Sequence, residues 1–121
     1  MNREIKFRAW DKDQKIMYLP EYSEIRYMSV ESLNETNSLW VMMQYTGFKD
    51  KYGKEIYEGD ICKVKTVYMT EYEIYTVKQR YCGFRLFRNL HYTMCLCGMD
   101  ERDIEVIGNI HENSELLEVE E

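Results

Sequence analysis

Between two apolar runs, residues Gln44 to Asp60 read Gln-Tyr-Thr-Gly-Phe-Lys-Asp-Lys-Tyr-Gly-Lys-Glu-Ile-Tyr-Glu-Gly-Asp. Glycine supplies backbone angles that other residues resist, and aspartate bonds back to nearby amides. Three glycines and several carboxylates in so short a stretch are turn chemistry rather than catalytic chemistry. The segment predicts a compact β corner, and every other element has to be arranged around it.

The flanking patterns are strand-like. Ile5, Phe7 and Ala9 alternate with Lys6 and Arg8, which reads as a half-buried strand from Arg3. Asp11 to Lys15 is a polar turn, and Ile16 to Leu19 returns as a second strand, giving an N-terminal hairpin ended by Pro20. Glu21 to Ser38 permits either a short amphipathic helix or an irregular strand, followed by a loop. Leu39 to Tyr45 reads as a strand buried on both faces. Beyond the corner, Ile61 to Tyr68, Tyr72 to Gln79 and Tyr81 to Arg88 alternate as strands, with Gly83 placed for a bulge or bend. His91 to Met99 is apolar without a clear period. Ile104, Val106 and Ile110 make a last strand, and Asn113 or Ser114 is placed to cap a terminal helical turn.

Short strands with tight turns predict a mainly β fold. The expected form is a small curled antiparallel sheet or barrel, SH3-like or similar, with an N-terminal hairpin and little helix. With 121 residues there is room for one domain. Its expected parts are a hairpin and irregular segment over 1–38, a barrel-like core over 39–111 and an acidic tail over 112–121.

The net charge of −6 argues against a free-standing duplex-DNA binder, which needs a basic footprint. There is no apolar signal segment near Met1 and no run of about 20 apolar residues able to span a bilayer. A cytoplasmic protein with no membrane association is expected, and its cysteines are expected to be reduced thiols. Eleven tyrosines and eight methionines suit partly buried interfaces, and predict a homo-oligomer.

Three blocks resemble the YopX family, small proteins found largely in phages and prophages of Gram-positive bacteria. They are Arg3-Glu4-Ile5-Lys6-Phe7-Arg8-Ala9-Trp10-Asp11, Gln44 to Ile61, and Val106-Ile107-Gly108-Asn109-Ile110-His111-Glu112-Asn113 with Glu115-Leu116-Leu117. The second block is the specific one: Gln-Tyr-Thr-Gly, an Asp-x-x-Gly turn and Ile-Tyr-Glu-Gly-Asp occur together. Ser114 stands where the familiar pattern often has proline, and Thr66 to Met99 resembles no known block. The resemblance implies a mainly β scaffold without an established reaction. Its shared residues are those a fold needs: Gly47, Gly53 and Gly59 in turns, Gly108 in the backbone, Asp50 and Asp60 on loop amides, and Trp10, Tyr45, Ile56 and Tyr57 in the core.

No nucleophile-elbow, phosphate-loop, dinucleotide or zinc-protease motif occurs, so no enzyme activity, catalytic residue or cofactor is expected. Cys82, His91, Cys95 and Cys97 are soft zinc ligands, but Cys-x-Cys lacks the usual Cys-x-x-Cys spacing, and ordinary buried thiols are expected instead. Glu55, Glu58 and Asp60 near Asp50 read as loop carboxylates rather than an ion site. Lys78, Arg80, Arg85 and Arg88 interleave with Tyr81, Phe84 and Phe87, the pattern of small barrels that bind single strands. Alternation puts Tyr81, Arg85 and Phe87 on one side and Phe84, Leu86 and Arg88 on the other. The expected role is binding: a phage or prophage accessory protein directed at a host protein, with a defence component as one candidate target. The alternative is a nucleic-acid or nucleotide-binding module using Lys78, Arg80, Tyr81, Arg85, Phe87 and Arg88.

Overall fold

The computed structural model describes residues 5–20, 40–80, 83–88 and 93–118. The expectations for Glu21 to Ser38, and for Arg3, Tyr81, Cys82 and His91, lie outside the described residues. Two compact units are present, residues 1–45 and 46–121. The architecture is mainly β with antiparallel pairing and little helix, as the alternation in the sequence predicts.

In the first unit, β1 (Phe7–Asp11) and β2 (Ile16–Tyr18) form the N-terminal hairpin, with Asp11 opposite Ile16. Asp11 makes the turn. Its Oδ1 accepts the amides of Asp13 (2.9 Å) and Gln14 (3.0 Å), and its carbonyl accepts that of Lys15 at 2.7 Å. Lys15 closes the loop at φ 59°, a left-handed conformation tolerated at a single turn position. The other edge of β1 pairs with the start of β3 (Trp40–Lys49), from Phe7 opposite Gln44 to Asp11 opposite Trp40. Trp40 stacks on Tyr18 with ring centroids 5.0 Å apart. Ala9, Trp10, Met43 and Tyr45 are buried.

The second unit holds the end of β3, β4 (Glu55–Tyr57) and a five-stranded sheet. That sheet is ordered β8–β7–β6–β5–β9, from β5 (Asp60–Val64), β6 (Glu73–Arg80), β7 (Gly83–Phe87), β8 (Thr93–Cys95) and β9 (Ile104–Asn109). Register decides which residues go inside. Cys62 faces both Tyr75 and Val106, Val64 faces Ile104, and Val77 faces Leu86. Directly opposed residues share a face, so these alternate positions make one apolar surface. Together with Ile56, Phe84 and Leu96 they form the core. Each large buried side chain contributes about 1.5–3 kcal/mol through the apolar area it removes from water.

The sheet bends where the β5–β9 register shifts between Ile61 and Cys62. Gly83 carries no bulge: it opens β7 in register with Arg80. The ambiguous stretch before Met99 is β8 followed by a 3-10 turn, Leu96–Gly98. The last described element is α1, Glu115–Glu118. Asn113 does not cap it through its side chain. Its Oδ1 turns back to accept the Asn109 amide at 3.1 Å, while the Asn113 and Ser114 carbonyls accept the Leu116 and Leu117 amides.

Candidate functional site

The glycine-rich corner comes first because its carboxylates are the obvious candidates for chemistry. Asp50 is buried, and both its oxygens are engaged. Oδ1 accepts the amides of Tyr52 and Lys54, each at 2.9 Å, and Oδ2 accepts the Val106 amide, also at 2.9 Å. The Lys51 amide donates to the Ile104 carbonyl at 2.9 Å. Since β9 is the edge of the five-stranded sheet, the corner covers backbone groups that would otherwise be exposed. Asp50 thus shapes the turn and ties it to a strand 56 residues further on.

Asp60 is buried too, with Oδ2 accepting the Tyr57 amide at 2.8 Å. Gly53 (φ 81°) donates to the Asp50 carbonyl, and Gly59 (φ 86°) donates to that of Val77. Both occupy turns in the left-handed region, where side chains are strained. Gly47 differs from expectation: it lies inside β3, at φ 89°. The neighbouring Thr46 hydroxyl donates to the Ile56 carbonyl at 2.8 Å and accepts the Phe48 amide at 3.1 Å, so the strand continues through the kink. Ile56 and Tyr57 are buried beside it.

The third block is built the same way. The Asn109 Oδ1 accepts the amides of His111 (3.0 Å) and Glu112 (2.9 Å), and its Nδ2 donates to Glu112 at 2.7 Å. Glu112 therefore serves the turn rather than a loose tail. Gly108 is required because an added Cβ would lie 2.6 Å from Asn113 Oδ1. Among the described residues, no group of three or more His, Cys, Asp or Glu side chains is arranged to hold a metal ion. Asp50 and Asp60 accept backbone amides, and Glu55 accepts from the Tyr57 hydroxyl at 3.3 Å.

A different surface gathers the cationic residues. On the outer face of β6 and β7, Lys78 lies opposite Arg85, and Phe87 lies opposite Thr76. Lys78 Nζ is 5.5 Å from the Phe87 ring centroid and Arg80 Cζ is 6.0 Å from it. Lys78 and Arg80 are exposed, and Arg85 and Phe87 are half-buried. Among the described residues, neither Lys78 nor Arg80 is ion-paired. Phe84 and Leu86 point into the core instead. Arg88 lies beyond the end of β7 and is bound to Glu73, at 3.0 Å, which also accepts from the Tyr75 hydroxyl at 2.9 Å. So the structure gathers Lys78, Arg80, Arg85 and Phe87, and engages Arg88 elsewhere.

The row continues onto β8, where Cys95 lies opposite Arg85. The Cys95 and Cys97 sulfurs, both exposed, are 2.6 Å apart. The contact with the Cys97 thiol, then the Cys97 and Gly98 backbone amides and last the Arg85 charge, hold the Cys95 thiol below its ordinary range, while the same thiol contact raises Cys97. The sequence predicts ordinary buried thiols here; instead Cys95 and Cys97 are exposed, because Cys95 ends β8 and Cys97 lies on the 3-10 turn that follows, whose buried residue is Leu96. Cys62 is the opposite case: burial first, then Asp60 and Asp50, push its thiol up.

Comparison with known proteins agrees with this fold. The family model described as YopX protein matches residues 6–118. The structure of protein EF1440 from Enterococcus faecalis is similar at 29% identity and a TM-score of 0.67, with 96% of this chain and 99% of that chain covered. Protein yopX from Bacillus subtilis is similar in fold at 18% identity and a TM-score of 0.58, covering 92% and 96% of the two chains. No curated protein matches the chain.

Proposed function

The chain belongs to the YopX protein family, and from that premise we propose that it is a non-enzymatic phage or prophage accessory protein that acts by binding a host factor in the host cytoplasm. The observation that carries this reading is the row of exposed Lys78 and Arg80 beside half-buried Arg85, on a chain of net charge −6. Such a local reversal of sign steers an acidic partner and contributes to specificity and on-rate. The two buried corner carboxylates support the same reading, since Asp50 through both oxygens and Asp60 through Oδ2 accept backbone amides.

A single-stranded nucleic acid is the second reading, because an aromatic ring among cations is the usual platform for a base. Here, however, Lys78 and Arg80 lie over the Phe87 ring, and a base would have to displace both to stack. An acidic protein surface needs no such displacement. The acidic host protein is therefore the leading partner, with a defence component as one candidate. The homo-oligomer expected from the tyrosine content belongs to the same proposal and is read by light scattering.

The test is affinity capture from host lysate by the wild-type protein and by Lys78→Glu/Arg85→Glu, with and without nuclease. The proposal expects a protein that survives nuclease, weakens with salt and falls about tenfold or more with the double reversal. Capture that disappears with nuclease supports the nucleic-acid reading. Equal capture by both proteins removes this face from the account.

A further inference from the structure

Cys95 and Cys97 differ from the buried thiol in kind: both are exposed, their sulfurs touch, and Cys95 ends a strand whose cross-strand neighbour is Arg85. Lys78 lies opposite Arg85 on the next strand, so two cations lead in register to one sulfur. We propose that Cys95 and Cys97 form a thiol–disulfide exchange site whose substrate is an anionic low-molecular-weight disulfide. The site shares Lys78 and Arg85 with the β6–β7 face, but the exchange between its two sulfurs does not require that face to bind a partner.

The exchange balances in two steps. The Cys95 thiolate attacks one sulfur of the small disulfide, forms a mixed disulfide and expels one thiolate, which takes up the proton that Cys95 gave away. Cys97 then loses its proton, attacks the Cys95 sulfur and expels the second small thiolate. The protein gives up two electrons and two protons; the small disulfide becomes two thiols. Contact at 2.6 Å means that closing to a bond of about 2.05 Å requires little movement. Cys95 is the sulfur that lies opposite Arg85, a cation that favours its thiolate, and this position assigns it the first attack. A ring closed across one intervening residue constrains the unfolded chain little and carries strain. Exposed and strained disulfides are the readily reduced ones, so the bond is reversible.

The arrangement also says why the substrate is anionic. Disulfides bearing carboxylates meet the Arg85 guanidinium and the Lys78 ammonium on approach, whereas a neutral disulfide gains nothing from them. Charge of this kind changes encounter rates and is screened by salt.

The experiment is oxidation of the full chain by glutathione disulfide across a series of thiol-to-disulfide ratios near neutral pH. The reaction is quenched by alkylation and read by peptide mass spectrometry. The expected product is a Cys95–Cys97 disulfide that dithiothreitol reverses, with Cys62 still a thiol. Cys97→Ser is expected to stop at one glutathione on Cys95. Lys78→Ala is expected to slow glutathione disulfide about three- to tenfold while leaving the rate with neutral hydroxyethyl disulfide unchanged, whereas Arg85→Ala, which also removes a charge that favours the Cys95 thiolate, is expected to slow both disulfides, glutathione disulfide the more. Separate alkylation of Cys95 and Cys97 at every ratio overturns the site, as does exclusive pairing of either with Cys82. Equal slowing of both disulfides in both variants overturns the anionic substrate.

Discussion

Replacing Asp50 with alanine separates a scaffold from a reaction centre. Three amides lose their acceptor, and they are not equal. The Val106 amide belongs to a buried β9 residue and bonds to a carboxylate, a type of bond that contributes about 1.5–3 kcal/mol. The Tyr52 and Lys54 amides lie in an exposed loop, where water can replace the carboxylate, and about 0.5–1 kcal/mol each is reasonable. Removing a buried charge returns part of its own desolvation cost, which lowers the total. The net expected loss is about 2–4 kcal/mol. Asp50→Asn can satisfy the loop pair or Val106 but never both, so it falls between alanine and wild type. Urea unfolding followed by far-UV circular dichroism measures the difference, with an unchanged slope showing that only stability has moved. An alanine variant within about 0.5 kcal/mol of wild type would refute the reasoning, because a side chain that costs nothing to remove is not holding the corner.

Three other outcomes follow from the same geometry. Gly108→Ala should destabilise by about 1–3 kcal/mol because the new methyl meets Asn113, and the penalty should shrink in an Asn113→Ala background, read as a double-mutant cycle. Asp100 is hydrogen-bonded by Arg102, at 2.7 Å from Nη2, and this lowers its carboxyl to about 2 from an ordinary 3.8. A depressed carboxyl stabilises above its unfolded value, so the Asp100 contribution is complete above about pH 4 and lost as pH falls through 2; carboxyl NMR should find the low midpoint, and Arg102→Ala should return it towards 3.8. Cys62, buried and with its thiol pushed up, should be alkylated only as fast as the second unit opens, so its labelling rate should rise with urea, whereas labelling independent of urea would show it is accessible in the fold.

How much of this could be read from the chain depends on how far apart the partners are. The hairpin was legible because Asp11 bonds amides two and three residues away, and β6 and β7 because their burial alternates within each strand. The side of β7 that Arg85 and Phe87 occupy followed from the same period. What was not legible is long-range. No local pattern says that Asp50 caps an edge 56 residues distant, or that Asn113 folds back to exclude a side chain at Gly108. Gly47 looked like a turn because glycine in a corner usually is one; the Thr46 hydroxyl, bonded to a residue ten positions on, keeps the strand running. Arg88 matched the cationic pattern in sequence and left it in space, because Glu73 sits within reach. Cys95 and Cys97 were visible as residues, but their neighbour Arg85 belongs to another strand and appears only with the register.

The central claim is that the signature residues are spent on the backbone. Amide hydrogen exchange at Val106, compared between the wild-type protein and Asp50→Ala, tests it most directly. Strong protection in the wild type, lost selectively at Val106 before the rest of β9 in the variant, is the predicted result. A Val106 amide that exchanges alike in both proteins would contradict it, and would leave the Asp50 carboxylate available for other chemistry.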